Sequence, residues 1–295
     1  MDNPIDTWIA TALQSYVVVA VIALLVGATI APYAVGVATS SGSENHVAVV
    51  KIDEPISDST VTSVTQELRE LRANASVDAV VLRVSSPGGA AAASEAQYLA
   101  VKRLAAEKPV YTSVGGTAAS GAFYTILPTN RIYATPGSIV GSVGVRGTAP
   151  SDGLTGEPTT GPDKAHGGMT ADEYYTSLET MKRGFVGAVM TERSDALEID
   201  RETVATAATY TGSRAVEVGY ADEIGGLEAA IAGAADEAGI DSYDVTYRDP
   251  ASPSLGLLFA GAEDGAQTSQ IEHPRFYMLY GTLPGESSNS TEVTA

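Results

Sequence analysis

The chain has 295 residues, no cysteine, and 17 Lys and Arg against 36 Asp and Glu, a formal net charge of −19. The missing thiols exclude disulfides, a Cys nucleophile and thiolate metal sites. So acidic a surface argues against nucleic acid, whose phosphates need clustered Lys and Arg.

The acidic residues are scattered rather than blocked. That reads as the solvated coat of a protein adapted to high salt, where screening removes self-repulsion. The three histidines, His46, His166 and His273, lie far apart with no metal-ligand spacing, so neither a metal nor another cofactor is expected.

After a short segment over 1–15, the run Tyr16–Val37 is apolar, and 7–43 carries no charge. At ~1.5 Å per residue such a run crosses ~30 Å of hydrocarbon, and it lacks the polar face of a soluble helix. It predicts a transmembrane anchor over 16–38. A cleaved signal peptide is the competing reading, but no Lys or Arg precedes the run. A linker over 39–45 leads to a domain over 46–250.

His46–Ile52 reads as a strand. Ser57–Ala73 reads as a helix, with Val61, Val64, Leu68 and Leu71 on one face. Val77–Val84 is the apolar run of a buried parallel strand, broken by Ser85-Ser86-Pro87-Gly88-Gly89. Such a break is either a plain turn or a place where bare backbone N–H groups face a cleft. Ser94–Ala106 reads as a helix and Val110–Val114 as a strand that ends at Gly115–Gly116.

Ser120 follows, between small residues at a strand-to-helix turn. Free N–H groups and the helix dipole there favour an oxyanion, so Ser120 reads as a nucleophile or, equally, as a helix cap.

Arg131–Ala134 and Val140–Val145 read as short strands, and Thr148–Gly168 as a long loop carrying the cation Lys164. Thr170–Arg193 predicts a helix with a Thr170/Glu173 capping box. A helix over Arg201–Ala208 comes next. Thr211–Ile224 reads as a helix and turn, Leu227–Ala238 as a helix and Tyr243–Tyr247 as a strand. Beyond 250 a C-terminal extension over 251–295 begins. Its aromatic piece Pro274–Gly281 is suited to docking, and its end, from Gly285, reads as disordered. Alternating apolar strands and helices argue for an α/β domain.

Four pieces stand in one order: SSPGGAAAASE, GGTAASGAFY after a strand, PGSIVGSVGV, and TGPDKA. Together with GSRAVEVGYADEIGG they resemble the signal peptide peptidase A family from about Val47 to Pro250. These are membrane-anchored serine proteases with a ClpP/crotonase-like repeated ββα superhelix.

The resemblance implies a Ser/Lys dyad. Ser120 matches the nucleophile, Lys164 the general base and Ser142 the residue that orients the lysine. Gly89 and Gly121 match the oxyanion-hole donors. A lysine base must be neutral, so burial has to bring its pKa from ~10.4 to about 7–8. Ala122 stands where the family often has a second glycine.

The resemblance also implies a homo-oligomer, hydrophobic peptide substrates such as cleaved signal peptides, and a single-pass position in the cell membrane. It places the catalytic domain outside the cytoplasm. Three alternatives remain open at this point: a stomatin-partner-type membrane protease, a crotonase-like acyl-CoA enzyme, and a non-catalytic scaffold.

Overall fold

The computed structural model describes residues 45–148, 171–250 and 275–280. The expected anchor, Lys164, His166, His273, Thr170 of the expected capping box and the stretch from Gly285 lie outside these residues. Among the described residues, no helix is long and apolar enough to cross a membrane.

The central sheet is built from apolar, β-branched runs. Strands β1 (His46–Ile52), β2 (Val77–Ser86), β4 (Val110–Ala119), β5 (Arg131–Ala134), β9 (Glu223–Ile224) and β10 (Asp244–Arg248) pair in the order β10-β1-β2-β4-β5-β9. Every pairing along this path is parallel. Parallel sheets need both faces covered, and the two-residue alternation of strand side chains divides the core accordingly.

Ala48, Val50, Val80 and Leu82 belong to the larger core cluster, with helices α1 (Asp58–Ala73), α2 (Ala91–Ala105) and α3 (Gly121–Ile126). Val47, Val49, Ala79 and Val81 point the other way. They pack with Tyr111, Tyr133 and the Ala-rich face of a later helix, Leu227–Glu237.

Helix α1 starts where its cap signal predicts. The Ser57 hydroxyl accepts from the Thr60 N–H, and the Thr60 hydroxyl accepts from the Ser57 N–H. Helix α2 starts three residues earlier than expected, at Ala91. Two of its early residues, Ala91 and Ala93, are buried in the core, a packing gain that helix periodicity alone does not report.

The expected end of a strand at Gly115–Gly116 is incorrect. Strand β4 runs on to Ala119. Opposite β2, however, the register moves from Val84↔Val114 to Ser86↔Ala118, so four steps on β4 face two on β2. The glycines sit in this bulge. They let β4 change partners, from β5 over Tyr111–Val114 to β6 (Ile139–Gly141) over Thr117–Ala119.

Two other extents are shorter than expected. The Val140–Val145 strand stops at Gly141, and the Arg201–Ala208 helix is only α5 (Arg201–Val204). Left-handed backbone lies at the end of the strand and three residues past the helix. Gly141 and Ser142 have φ of 119° and 60°, and Ala207 has φ 61°. The Ser142 N–H donates to the Ala208 carbonyl at 3.0 Å, locking the two turns together.

Strand β8 (Thr209–Thr211) then pairs antiparallel with β6. It was not legible in the sequence, and neither was a separate three-stranded sheet in the order β3 (Gly88–Ala90), β11 (Arg275–Leu279), β7 (Arg146–Thr148).

Helix α4 (Ala171–Glu192) is tied to the sheet by the residue after its end, since Arg193 and Asp222 form a two-point ion pair. Nη1 and Nη2 donate to the carboxylate at 3.1 and 2.8 Å, and Nε donates to the Gly219 carbonyl at 3.0 Å. The same carboxylate accepts the Ile132 N–H from β5 at 2.7 Å. The Arg193 side chain is only 5% exposed, so truncation leaves a carboxylate without its counter-charge. Arg193→Leu is expected to cost about 3 kcal/mol of unfolding free energy, read by urea denaturation.

Candidate active site

The site is assembled at the end of β4, where three segments meet. Ser120 follows the strand with φ 55° and ψ −120°, a conformation that costs a non-glycine residue about 1–3 kcal/mol. Its N–H donates to the Gly141 carbonyl at 2.7 Å, and its carbonyl accepts from the Tyr124 N–H at 2.9 Å. Those two bonds hold the elbow.

Ser120 occupies the N-cap position, but its backbone is not the extended one usual there, and its side chain makes no capping bond. Helix α3 has only six residues, so a macrodipole is also a minor contribution here. What the turn supplies is individual backbone N–H groups.

Ser86–Ala90 forms the second segment. Ser86 is fully buried, with its hydroxyl donating to the Glu54 carbonyl at 2.7 Å and accepting from the Gly88 N–H at 3.2 Å. The Ile56 N–H donates to the Gly88 carbonyl, and the Ile56 carbonyl accepts from the Ala90 N–H, both at 2.8 Å. Gly89 is therefore pressed against backbone, and a Cβ placed on it would lie 1.9 Å from the Ile56 carbonyl oxygen. Gly88, at φ 90°, faces the elbow. A Cβ there would lie 2.6 Å from the Gly121 nitrogen and 2.8 Å from the Ala119 oxygen.

The third segment brings Ser142. Register pairs Ala119 with Gly141, so Ser120 and Ser142 follow matched residues on adjacent parallel strands. Of the five expected site residues, four gather at this end of the sheet: Ser120, Gly121, Gly89 and Ser142. Lys164 lies outside the described residues.

Two described lysines can be set apart from it. Lys108 has a pKa lowered by burial, but it precedes β4, at the opposite end of a ten-residue strand. There it donates to the carbonyls of Leu71, Asn74 and Val77, closing the end of α1. Lys182 pairs with Glu179 at 3.7 Å on the exposed side of α4.

Sequence reasoning missed Ser94 and Met278. Ser94 is fully buried, and its hydroxyl donates to the Ala90 carbonyl at 2.9 Å. A Cβ on Gly121 would stand 2.2 Å from that hydroxyl oxygen. Met278 comes from the C-terminal extension. Its carbonyl oxygen lies 2.2 Å from where a Cβ on Gly88 would be and 2.9 Å from one on Gly121. The aromatic run Pro274–Gly281 was the only sequence signal for it.

A cavity of about 270 Å³ lies elsewhere, between α1 and α2 and lined by Leu99, Arg69, Arg72 and Arg103 among others. None of its lining residues belongs to the site.

Residues 102–151 and 170–241 match the profile of peptidase family S49. Over those residues the chain is similar to peptidase family S49. Among individual proteins it is similar to Protease 4 of Salmonella typhi, 33% identical over 61% of this chain and 32% of that one. It is also similar to the chloroplastic serine protease SPPA of Arabidopsis thaliana, 30% identical over 65% of this chain and 31% of that one. The chain thus spans about a third of the length of these two relatives. A solved structure, ClpP1 from Listeria monocytogenes, aligns with a TM-score of 0.44 at 16% identity, covering 60% of this chain and 91% of that one.

The glycines make separable tests. An added methyl on Gly115 meets nothing within 4 Å, whereas one on Gly89 meets the Ile56 backbone. Thermal melts should show Gly115→Ala within about 0.5 kcal/mol of wild type and Gly89→Ala destabilised by about 1–3 kcal/mol.

Proposed function

We propose that the chain is a serine endopeptidase in which Ser120 attacks the scissile carbonyl and Lys164 takes the hydroxyl proton. In this reading Ser142 orients the lysine, and the N–H groups of Gly89 and Gly121 receive the oxyanion. The observation that carries the reading is the backbone at Ser120. A strained serine, its side chain uncommitted to capping, stands beside three glycines whose missing side chains keep bare backbone within reach. Strain of this kind persists only where surrounding structure over-determines it, and it clusters at functional sites.

The chemistry follows from general principles. A serine hydroxyl is a weak nucleophile until a base stands beside it. Backbone donors fixed in place before reaction stabilise the developing oxyanion, each worth on the order of 3–4 kcal/mol. No metal is needed for either role.

The same proposal extends to context. The substrates are hydrophobic peptides, including cleaved signal peptides, reached at the membrane surface by a chain anchored through 16–38 with its catalytic domain outside the cytoplasm. The working form is a homo-oligomer, in which neighbouring subunits help to bury Lys164 and keep it neutral.

Peptide hydrolysis by the full chain in detergent tests the dyad. Ser120→Ala should lower kcat by on the order of 10⁴–10⁶-fold, and Lys164→Ala by about 10³-fold or more, with oligomer size unchanged. Full activity of Ser120→Ala would instead favour a crotonase-like acyl-CoA enzyme, which needs no serine nucleophile. The charge of −19 adds a second test. Activity should persist at molar salt and fall at low salt, where unscreened repulsion loosens an acidic assembly; a flat profile would remove the salt-adaptation argument.

A further inference from the structure

The cavity between α1 and α2 takes no part in the candidate active site. Side chains three and four positions apart on each helix line it, with Leu68, Arg69 and Arg72 from α1 and Leu99 and Arg103 from α2. Its floor is apolar, its charged groups are guanidiniums, and among the described residues no carboxylate lines it. Arg72 pairs with Glu107 at 3.1 Å, whereas Arg69 and Arg103 form no ion pair among the described residues. Leu99 stands 46% exposed beside them. Complementing the helix dipole accounts for Arg72 and Arg103, which lie in last turns. It accounts for neither Arg69 nor the exposed leucine. In a chain with 36 acids against 17 bases, two uncommitted arginines in one groove run against the overall charge.

The groove also has a definite place in the sheet. A helix that links two parallel strands returns the chain to the end where strands begin, so the last turns of α1 and α2 lie with the starts of β1, β2 and β4. The bonds agree: Lys108, just before β4, donates to the carbonyls of Leu71, Asn74 and Val77. β1 starts here as well, with His46 opposite Val77, while Ser120 lies at the other end of the strands. In sequence, only residues 38–45 separate β1 from the apolar run that ends at Val37, a length that reaches at most ~29 Å.

We propose that this groove binds the headgroup of an anionic phospholipid in the membrane that holds 16–38. The inference rests on the anchor reading above and not on the peptidase chemistry. The Arg69 and Arg103 guanidiniums donate forked N–H bonds to the phosphate, a geometry that suits arginine better than lysine. Leu99 and the apolar floor take the glycerol and the first methylenes of an acyl chain. A space of about 270 Å³ accepts one headgroup, whereas a partner helix, ~10–12 Å across, does not enter it. A chain of net charge −19 is otherwise repelled by an anionic bilayer, and the groove supplies the opposite sign at the end of the sheet where the chain enters it.

The test titrates the full chain, in neutral detergent at one fixed salt concentration, with three probes read by calorimetry. These are short-chain phosphatidylglycerol, phosphatidylcholine of equal chain length, and inorganic phosphate. Wild type is compared with Leu99→Asp and with the double variant Arg69→Gln, Arg103→Gln. The expected result is saturable binding of phosphatidylglycerol, about 10-fold or more tighter than phosphatidylcholine, with the preference lost in both variants. Melting temperature and oligomer size should match wild type, since these side chains lie at the surface. Equal affinity for the two lipids, or a preference that both variants keep, would overturn the inference. Inorganic phosphate bound as tightly as phosphatidylglycerol would overturn it in favour of a free anion, and a smaller oligomer in the variants in favour of a contact between copies. Vesicle flotation separates the two readings. A chain that floats with neutral vesicles but shows no lipid preference loses this inference alone; one that floats with no vesicle loses the anchor reading and this inference with it.

Discussion

The structure turns on the double duty of β4. Its first half must lie against β5 and its second half against β6, and no straight strand can do both. The chain resolves the conflict with a bulge at Gly115–Gly116, which swings the strand end out of the β5 line. Ser120 then inherits a backbone that has to turn at once from strand into helix. The Gly141 carbonyl catches its N–H, and Gly141 itself is held by the antiparallel contact of β6 with β8. Strain at Ser120 is thus maintained by hydrogen bonds on both sides of the turn.

Strain is also localised. Among the described residues, the non-glycine positions with positive φ are Ser120, Ser142 and Ala207. Ser142 bonds Ala208, and Ala207 packs under Gly144. All three belong to one connected patch, while the rest of the sheet and its helices keep ordinary backbone. A core of parallel strands, covered on both faces, carries a small strained edge at the candidate site. The Arg193–Asp222 pair does comparable work farther back, fixing α4 to the segment before β9 without entering the site.

Around Gly89 the site is made mostly of main chain. Ile56 presses Gly89 from one side, and β11 lines it from the other.

Much of this was legible from residues alone. Apolar runs marked β1, β2 and β5, and the Ser57 cap marked the start of α1, because those signals are local: side-chain period, β-branching and capping chemistry act within a few residues. The small residues around Ser120 and the Pro-Gly-Gly step likewise announced places where backbone must come close.

The tertiary structure decided what depends on residues far apart in the chain. It made the Gly115–Gly116 pair a bulge rather than an end, since only the competing partners β5 and β6 demand one. It showed that the Ser120 side chain does not cap the helix, and that its backbone is held by a bond donated to Gly141 and one accepted from Tyr124. It brought Ser94 under Gly121 and Met278 beside Gly88. These contacts span tens to nearly two hundred residues of sequence, and no local pattern encodes them. Only the closure of the sheet, which places the ends of β2, β4 and β6 side by side, makes them neighbours.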